Sequence, residues 1–145
     1  MSCHNPGHRK LSRKVALFLL CCFLLATAAW GREDRLVNTG VAPAAEGKVN
    51  TDTDRNGNTG IEVQVKHMAT PQSLTPAKQT YLVWVQSRGR DPELLGALRV
   101  NENLEGSLKA ATPYKEFEIF ITAEDNLKPE TPSSMVILKG AVERK

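Results

Sequence analysis

Residues Asp52 to Glu62 read "DTDRNGNTGIE", and the fold turns on how they are parsed. The first six follow the opening of a calcium loop, D-x-[DN]-x-[DN]-G, with Asp52, Asp54 and Asn56 as candidate ligands, Gly57 at the sharp turn and Asn58 offering its carbonyl. Asn56-Gly57 is also a strong hairpin signal, because a tight turn between twisted strands wants left-handed backbone conformations. A calcium loop needs a bidentate Glu at its twelfth position, yet counting from Asp52 the twelfth residue is Val63, and Glu62 falls one short. The stretch that follows, "IEVQVK", puts Ile61, Val63 and Val65 on one face and Glu62, Gln64 and Lys66 on the other. That is a strand where a calcium motif would place a helix. The expectation is a hairpin with Asp52 and Asp54 on a solvated edge.

Period-two alternation continues along the chain. "LEGSLKA" sets Leu104, Leu108 and Ala110 against Glu105, Ser107 and Lys109, and "EFEIFITAE" sets Phe117, Ile119, Ile121 and Ala123 against Glu116, Glu118 and Thr122. "TYLVWVQ", Thr80 to Gln86, has no polar face, so it belongs in the middle of a sheet with cover on both sides. "LLGALRV" and "MVILKGAVE" complete the set, with a first strand near Gly47 to Thr53. "VNENLEG" reads as a tight return, "RGRDPE" and "LKPETPSS" as loops, and "MATPQSLTPAKQ" as a crossover between strands that are not hairpin neighbours. The pattern predicts an all-β domain: a single Ig-like Greek-key β-sandwich of about seven antiparallel strands.

The formal charge of +3 is local in origin. Arg9, Lys10, Arg13 and Lys14 lie in an opening segment free of acids; without them, 15 basic residues face 16 acidic ones. That balance gives no footprint for nucleic acid or anionic lipid. After the basic segment comes "VALFLLCCFLLATAAWG", an apolar run closing on small residues, the order of an export signal. Ala26-Thr27-Ala28 and Ala29-Trp30-Gly31 are both acceptable cleavage sites. The run from Val15 to Trp30 is 16 residues, short of the roughly 18 to 20 of a spanning helix. The expectation is a secreted or cell-envelope protein: residues 1–31 a signal peptide, or an anchor if uncleaved, then a tether over 32–46 and the domain over 47–145. A membrane is a partner only in the anchored case.

Cys3, Cys21 and Cys22 all fall in this leader, so the mature chain has no thiol chemistry. His67 is the one histidine beyond it, too few for a metal or triad site. Glu116 and Glu118 share a face and form the only paired-carboxylate candidate for hydrolysis, which would need a cleft; a solvated strand face accounts for them equally. Tyr81 and Trp84 are read as core filling rather than as a ligand platform. No catalytic residue and no cofactor is expected.

From Thr80 to Gly140 the order "YLVWVQ", "LGALRV", "FEIFITAE" and "TPSSMVILKG" resembles the extracytoplasmic C-terminal domain of anti-sigma-K-like membrane proteins: a Tyr-x-x-Trp strand, a strand opening with Gly, a strand ending Thr-x-Glu, and a closing apolar strand. The loop after Glu124 departs from that family in having no glycine. The resemblance implies an Ig-like sandwich and contact with an envelope protein. It does not imply sigma-factor binding, because only Met1 to Lys14 precede the apolar run.

Overall fold

The computed structural model describes residues 31–144. The leader and its proposed cleavage sites lie outside them. Eight strands follow in order: β1 Arg32–Asn38, β2 Glu46–Thr53, β3 Thr59–Lys66, β4 Thr80–Gln86, β5 Glu93–Leu98, β6 Gly106–Thr112, β7 Glu116–Glu124 and β8 Val136–Glu143. All pairs are antiparallel, in the order β5-β4-β7-β8-β1-β2-β3-β6. The ends of this sheet, β5 and β6, come together through a bridge between Val100 and Gly106, and Leu108 of β6 packs on Gly96 of β5. The result is a near-closed barrel.

The expected hairpin joins β2 to β3. Asp52 pairs with Gly60 and Thr53 with Thr59, and Gly57 takes the positive φ of 82° that the tight turn demands. The inward row is Val49, Thr51, Ile61, Val63 and Val65, all buried, as the alternation requires. β4 lies between β5 and β7 with Tyr81 to Val85 buried without a break. "MATPQSLTPAKQ" does cross over, carrying the chain from β3 to β4.

Three details differ from the sequence reading. Arg32–Asn38, read as tether, is strand β1. Its inward positions are Arg32, Asp34, Leu36 and Asn38, so only one apolar residue marks it, and the alternation is invisible. Arg32 to Leu36 pair with β2, whereas Val37 and Asn38 pair with β8. Leu36 sits where the strand changes partner, its methyl groups filling the space that a Cβ on Gly47 or on Gly140 would need. Second, "VNENLEG" makes the expected tight return, with Val100 bridged to Gly106 and the Asn101 amide donating to the Glu105 carbonyl at 2.8 Å, but Leu104 belongs to the turn rather than to β6: it is exposed with φ of 60°, its carbonyl accepting from the Met68 amide. Third, Thr122, assigned to the wet face, is fully buried.

Antiparallel pairing gathers four connections at one end of the barrel: 39–45, 67–79, 99–105 and 125–135. The short turns 54–58, 87–92 and 113–115 lie at the other. The core between holds Tyr81, Val83 and Val85 of β4 against Phe117, Ile119 and Ile121 of β7, with Val49, Val63, Ile137 and Leu138.

Candidate functional site

The turn at Asp54 uses its acid for structure. Asp54 Oδ1 accepts from the amides of Asn56 at 2.8 Å and Asn58 at 2.9 Å, and Oδ2 accepts from the Asn58 side-chain amide at 3.0 Å. The Asn58 side chain is the largest cause holding the Asp54 carboxyl below its ordinary value, followed by the backbone amides. Asp52 points elsewhere, lying across its ladder partner Gly60 in the space a side chain there would take. The structure thus brings Asp54, Asn56 and Asn58 together and leaves Asp52 apart. Among the described residues no group of three or more His, Cys, Asp or Glu side chains could hold a metal.

Glu116 and Glu118 are both solvent-exposed. They line a groove of about 400 Å³ with Gln86, Arg88, Phe117 and Glu143, and Glu116 pairs directly with Glu143. Like charges opposed on a ladder repel, and exposure lets water screen them. This is the solvated strand face that the sequence allowed, with a shallow groove beside it. His67 is likewise exposed, directly after β3.

At the turn end Tyr114 donates to Glu93 Oε1, and the Arg90 guanidinium lies 5.5 Å from the centre of the Tyr114 ring. The hydrogen bond to Glu93 is the main cause pushing the Tyr114 phenol above its ordinary value. This contact ties the β4–β5 loop to the β6–β7 turn.

The loop end is where side chains organise a surface. Lys78 Nζ lies 2.8 Å from Asp125 Oδ2, and the Gln79 amide donates to the Glu124 carbonyl at 2.9 Å, joining the 67–79 and 125–135 loops at their bases. Asn38 Nδ2 donates to the carbonyls of Ala42 and Ala45, folding the 39–45 loop on itself. Thr39 Oγ1 donates to the Val136 carbonyl, fastening that loop beside 125–135. From this framework Leu127 stands 60% exposed and Val37 62%, with Val41 and Leu104 also exposed. Four of the five large apolar side chains exposed among the described residues are therefore at this end; the fifth, Leu94, is on β5.

Sequence reading missed this distribution, because it comes from β1 and three separate loops that the fold places at one end. Tyr81 fills the core as expected, with its hydroxyl donating to the Ala69 carbonyl at 2.7 Å. Trp84 points the other way, away from that core, and is nonetheless 2% exposed; its Nε1 donates to Thr122 Oγ1 at 2.9 Å. Compared with protein-family models, with curated proteins and with solved structures, the chain matches none of them.

Proposed function

We propose that this chain is an exported, non-catalytic interaction module of Ig-like Greek-key sandwich type, which engages a protein of the cell envelope through its loop end. The observation that carries the reading is that Val37 on β1 and Val41, Leu104 and Leu127 on three loops, all solvent-exposed, lie at one end of the barrel, whose connections are held by hydrogen bonds and one ion pair. Exposed apolar side chains are ordinary when scattered and informative when they share one surface. Loops on a rigid scaffold supply contact area at low ordering cost, which favours affinity.

Three further features support the reading. The basic, apolar and small-residue order of the leader fits export. The Thr80 to Gly140 block resembles the anti-sigma-K-like extracytoplasmic domain. The exposed carboxylates Glu116 and Glu118 sit in a shallow groove rather than in the enclosed cleft that hydrolysis of a sugar would need.

A photo-crosslinking residue at position 127 in envelope preparations tests the contact. It is expected to give one dominant adduct that Val41→Asp and Leu104→Asp abolish, while a probe at Lys109 on the charged face gives none. Equal adducts from both positions would sink the reading. Mass spectrometry of the processed chain tests export: a terminus at Ala29 or Arg32 supports secretion, and an intact leader supports the membrane-anchored alternative.

A further inference from the structure

We infer that Glu124 is a positioning residue that fixes the 125–135 loop, and with it Leu127, in its binding shape. The inference rests on the loop-end reading for its purpose, though the geometry stands without it.

Glu124 closes β7 on the side away from the core, where a carboxylate would ordinarily meet water, yet it is only 5% exposed. A buried carboxylate is costly unless donors converge on it. Two do: Oε1 accepts from the Ser133 amide at 2.8 Å and from the Thr122 hydroxyl. The direction of the second bond is forced. An indole nitrogen only donates, so Thr122 Oγ1 accepts from Trp84 and its single proton must go to Glu124. A chain of bonds therefore runs from the Trp84 indole through Thr122 to Glu124 and out to the backbone of the loop.

Ser133 is held on both sides. Its hydroxyl donates to the Ala123 carbonyl at 3.0 Å and accepts from the Met135 amide at 3.2 Å, while the Ala123 amide donates to the Met135 carbonyl at 3.0 Å. At the other base of the loop the contacts are Lys78 with Asp125 and the Gln79 amide with the Glu124 carbonyl. Glu124 serves both bases, the one at Ser133 through its side chain and the one at Gln79 through its main-chain carbonyl. The loop contains Pro129 and Pro132 and no glycine, so a strap stiff between two fixed points carries Leu127 at its exposed part.

The role depends on reach and an acceptor oxygen, not on charge. Glu124→Gln keeps both, whereas Glu124→Asp keeps the charge and loses a methylene, and Glu124→Ala loses everything. The test is amide hydrogen exchange across the processed chain, with the Trp84 indole proton followed by NMR. In the Ala and Asp variants, exchange at Ser133 is expected to rise about tenfold or more, as loss of a buried hydrogen bond implies. Amides of Val83 and Ile121 should stay protected, the Trp84 indole signal should shift, and the Gln variant should remain close to wild type. If Glu124→Ala fails to fold, the Asp variant carries the comparison.

Unchanged exchange at Ser133 in a folded Asp or Ala variant would overturn the inference. So would a Gln variant as loose as Ala, which would assign the effect to charge. The same variants carrying the probe at position 127 separate the two claims. A loosened loop with an undiminished adduct leaves Glu124 fixing the loop and the loop-end contact in place, and removes the claim that the fixed shape serves that contact; a loosened loop with a lost adduct supports both.

Discussion

Asn58 engages Asp54 at both of its ends. It gives its amide and its side-chain nitrogen to the carboxylate, and its carbonyl accepts the Asp54 amide at 3.0 Å, so the β2–β3 turn is closed by one pair of residues. The D-x-D-x-N-G pattern that suggests a metal is here explained by backbone donors. An acid at the first position of such a turn accepts the amides that the bend leaves unpaired.

Asn58→Ala is therefore expected to return the Asp54 carboxyl toward its ordinary value of 3.8, because it removes the largest cause of the shift while leaving the backbone donors. A titration of Asp54 by carbon-detected NMR reads this directly. The sign for stability follows from linkage. The folded-state value is depressed, so the contribution is present above the unfolded value and is lost as pH falls through the folded one. The wild-type turn should loosen only at strongly acidic pH, and an Asp54 titration unaltered by the substitution would show that Asn58 is not the cause.

Calcium gives a second measurement at the same turn. A cation there would compete with three N–H donors already directed at Asp54, and Asp52 lies across Gly60 rather than beside it. Millimolar calcium is expected to leave the melting temperature of the protein within about 1 °C of its starting value, since stabilisation requires a ligand bound to the native state. A rise of several degrees would restore the metal reading.

Leu36 tests whether the first strand is part of the domain. It is buried between Gly47 and Gly140 where β1 passes from β2 to β8, and neither glycine has a side chain to fill the gap if Leu36 is trimmed. Leu36→Ala should cost about 2–5 kcal/mol, the range for a buried leucine whose surroundings cannot collapse. Denaturant unfolding would show it as a lower midpoint at unchanged slope. A cost below about 0.5 kcal/mol, typical of exposed sites, would return Arg32–Asn38 to the status of a tether.

What the sequence disclosed and what it hid follow from this contrast. Ile61, Val63 and Val65 announce β3 because every inward position is apolar, and Asn56-Gly57 announces its turn because few residues adopt that backbone. β1 hides because its inward positions include Arg32 and Asp34, which bond to each other at 3.1 Å. Leu104 misled for the opposite reason: it continued an apolar alternation, yet its φ of 60° turns it out of the strand. Thr122 looked like part of a wet face because local alternation cannot tell water from a buried hydrogen-bond chain. The placement of the exposed apolar residues at the loop end was out of reach, since it follows only from the strand order that carries β1 and three loops there.

Tyr81 supplies a prediction on the alkaline side. Burial pushes its phenol up from 10.0 to about 12, and its hydroxyl proton is committed to the Ala69 carbonyl in the crossover after β3. Ionising it in place would leave a phenolate against the Ala69 carbonyl at the core, with no donor gained. The native state therefore holds this proton more tightly than the unfolded chain. The stability it confers is complete below pH 10 and is lost progressively as pH rises from 10 through 12, amounting to about 2–3 kcal/mol at about 1.4 per unit. Tyr114 is the other tyrosine, and its bond to Glu93 also raises it, so Tyr114→Phe isolates the Tyr81 signal in an ultraviolet titration. In that background the remaining phenol should titrate near 12, together with unfolding. Tyr81→Phe should abolish the alkaline loss and, by orphaning the Ala69 carbonyl, cost about 1–2 kcal/mol at neutral pH. If instead Tyr81 titrated near 10 in the folded chain, the ring would have to reach water, and the packing of β4 against β7 would be looser than its burial indicates.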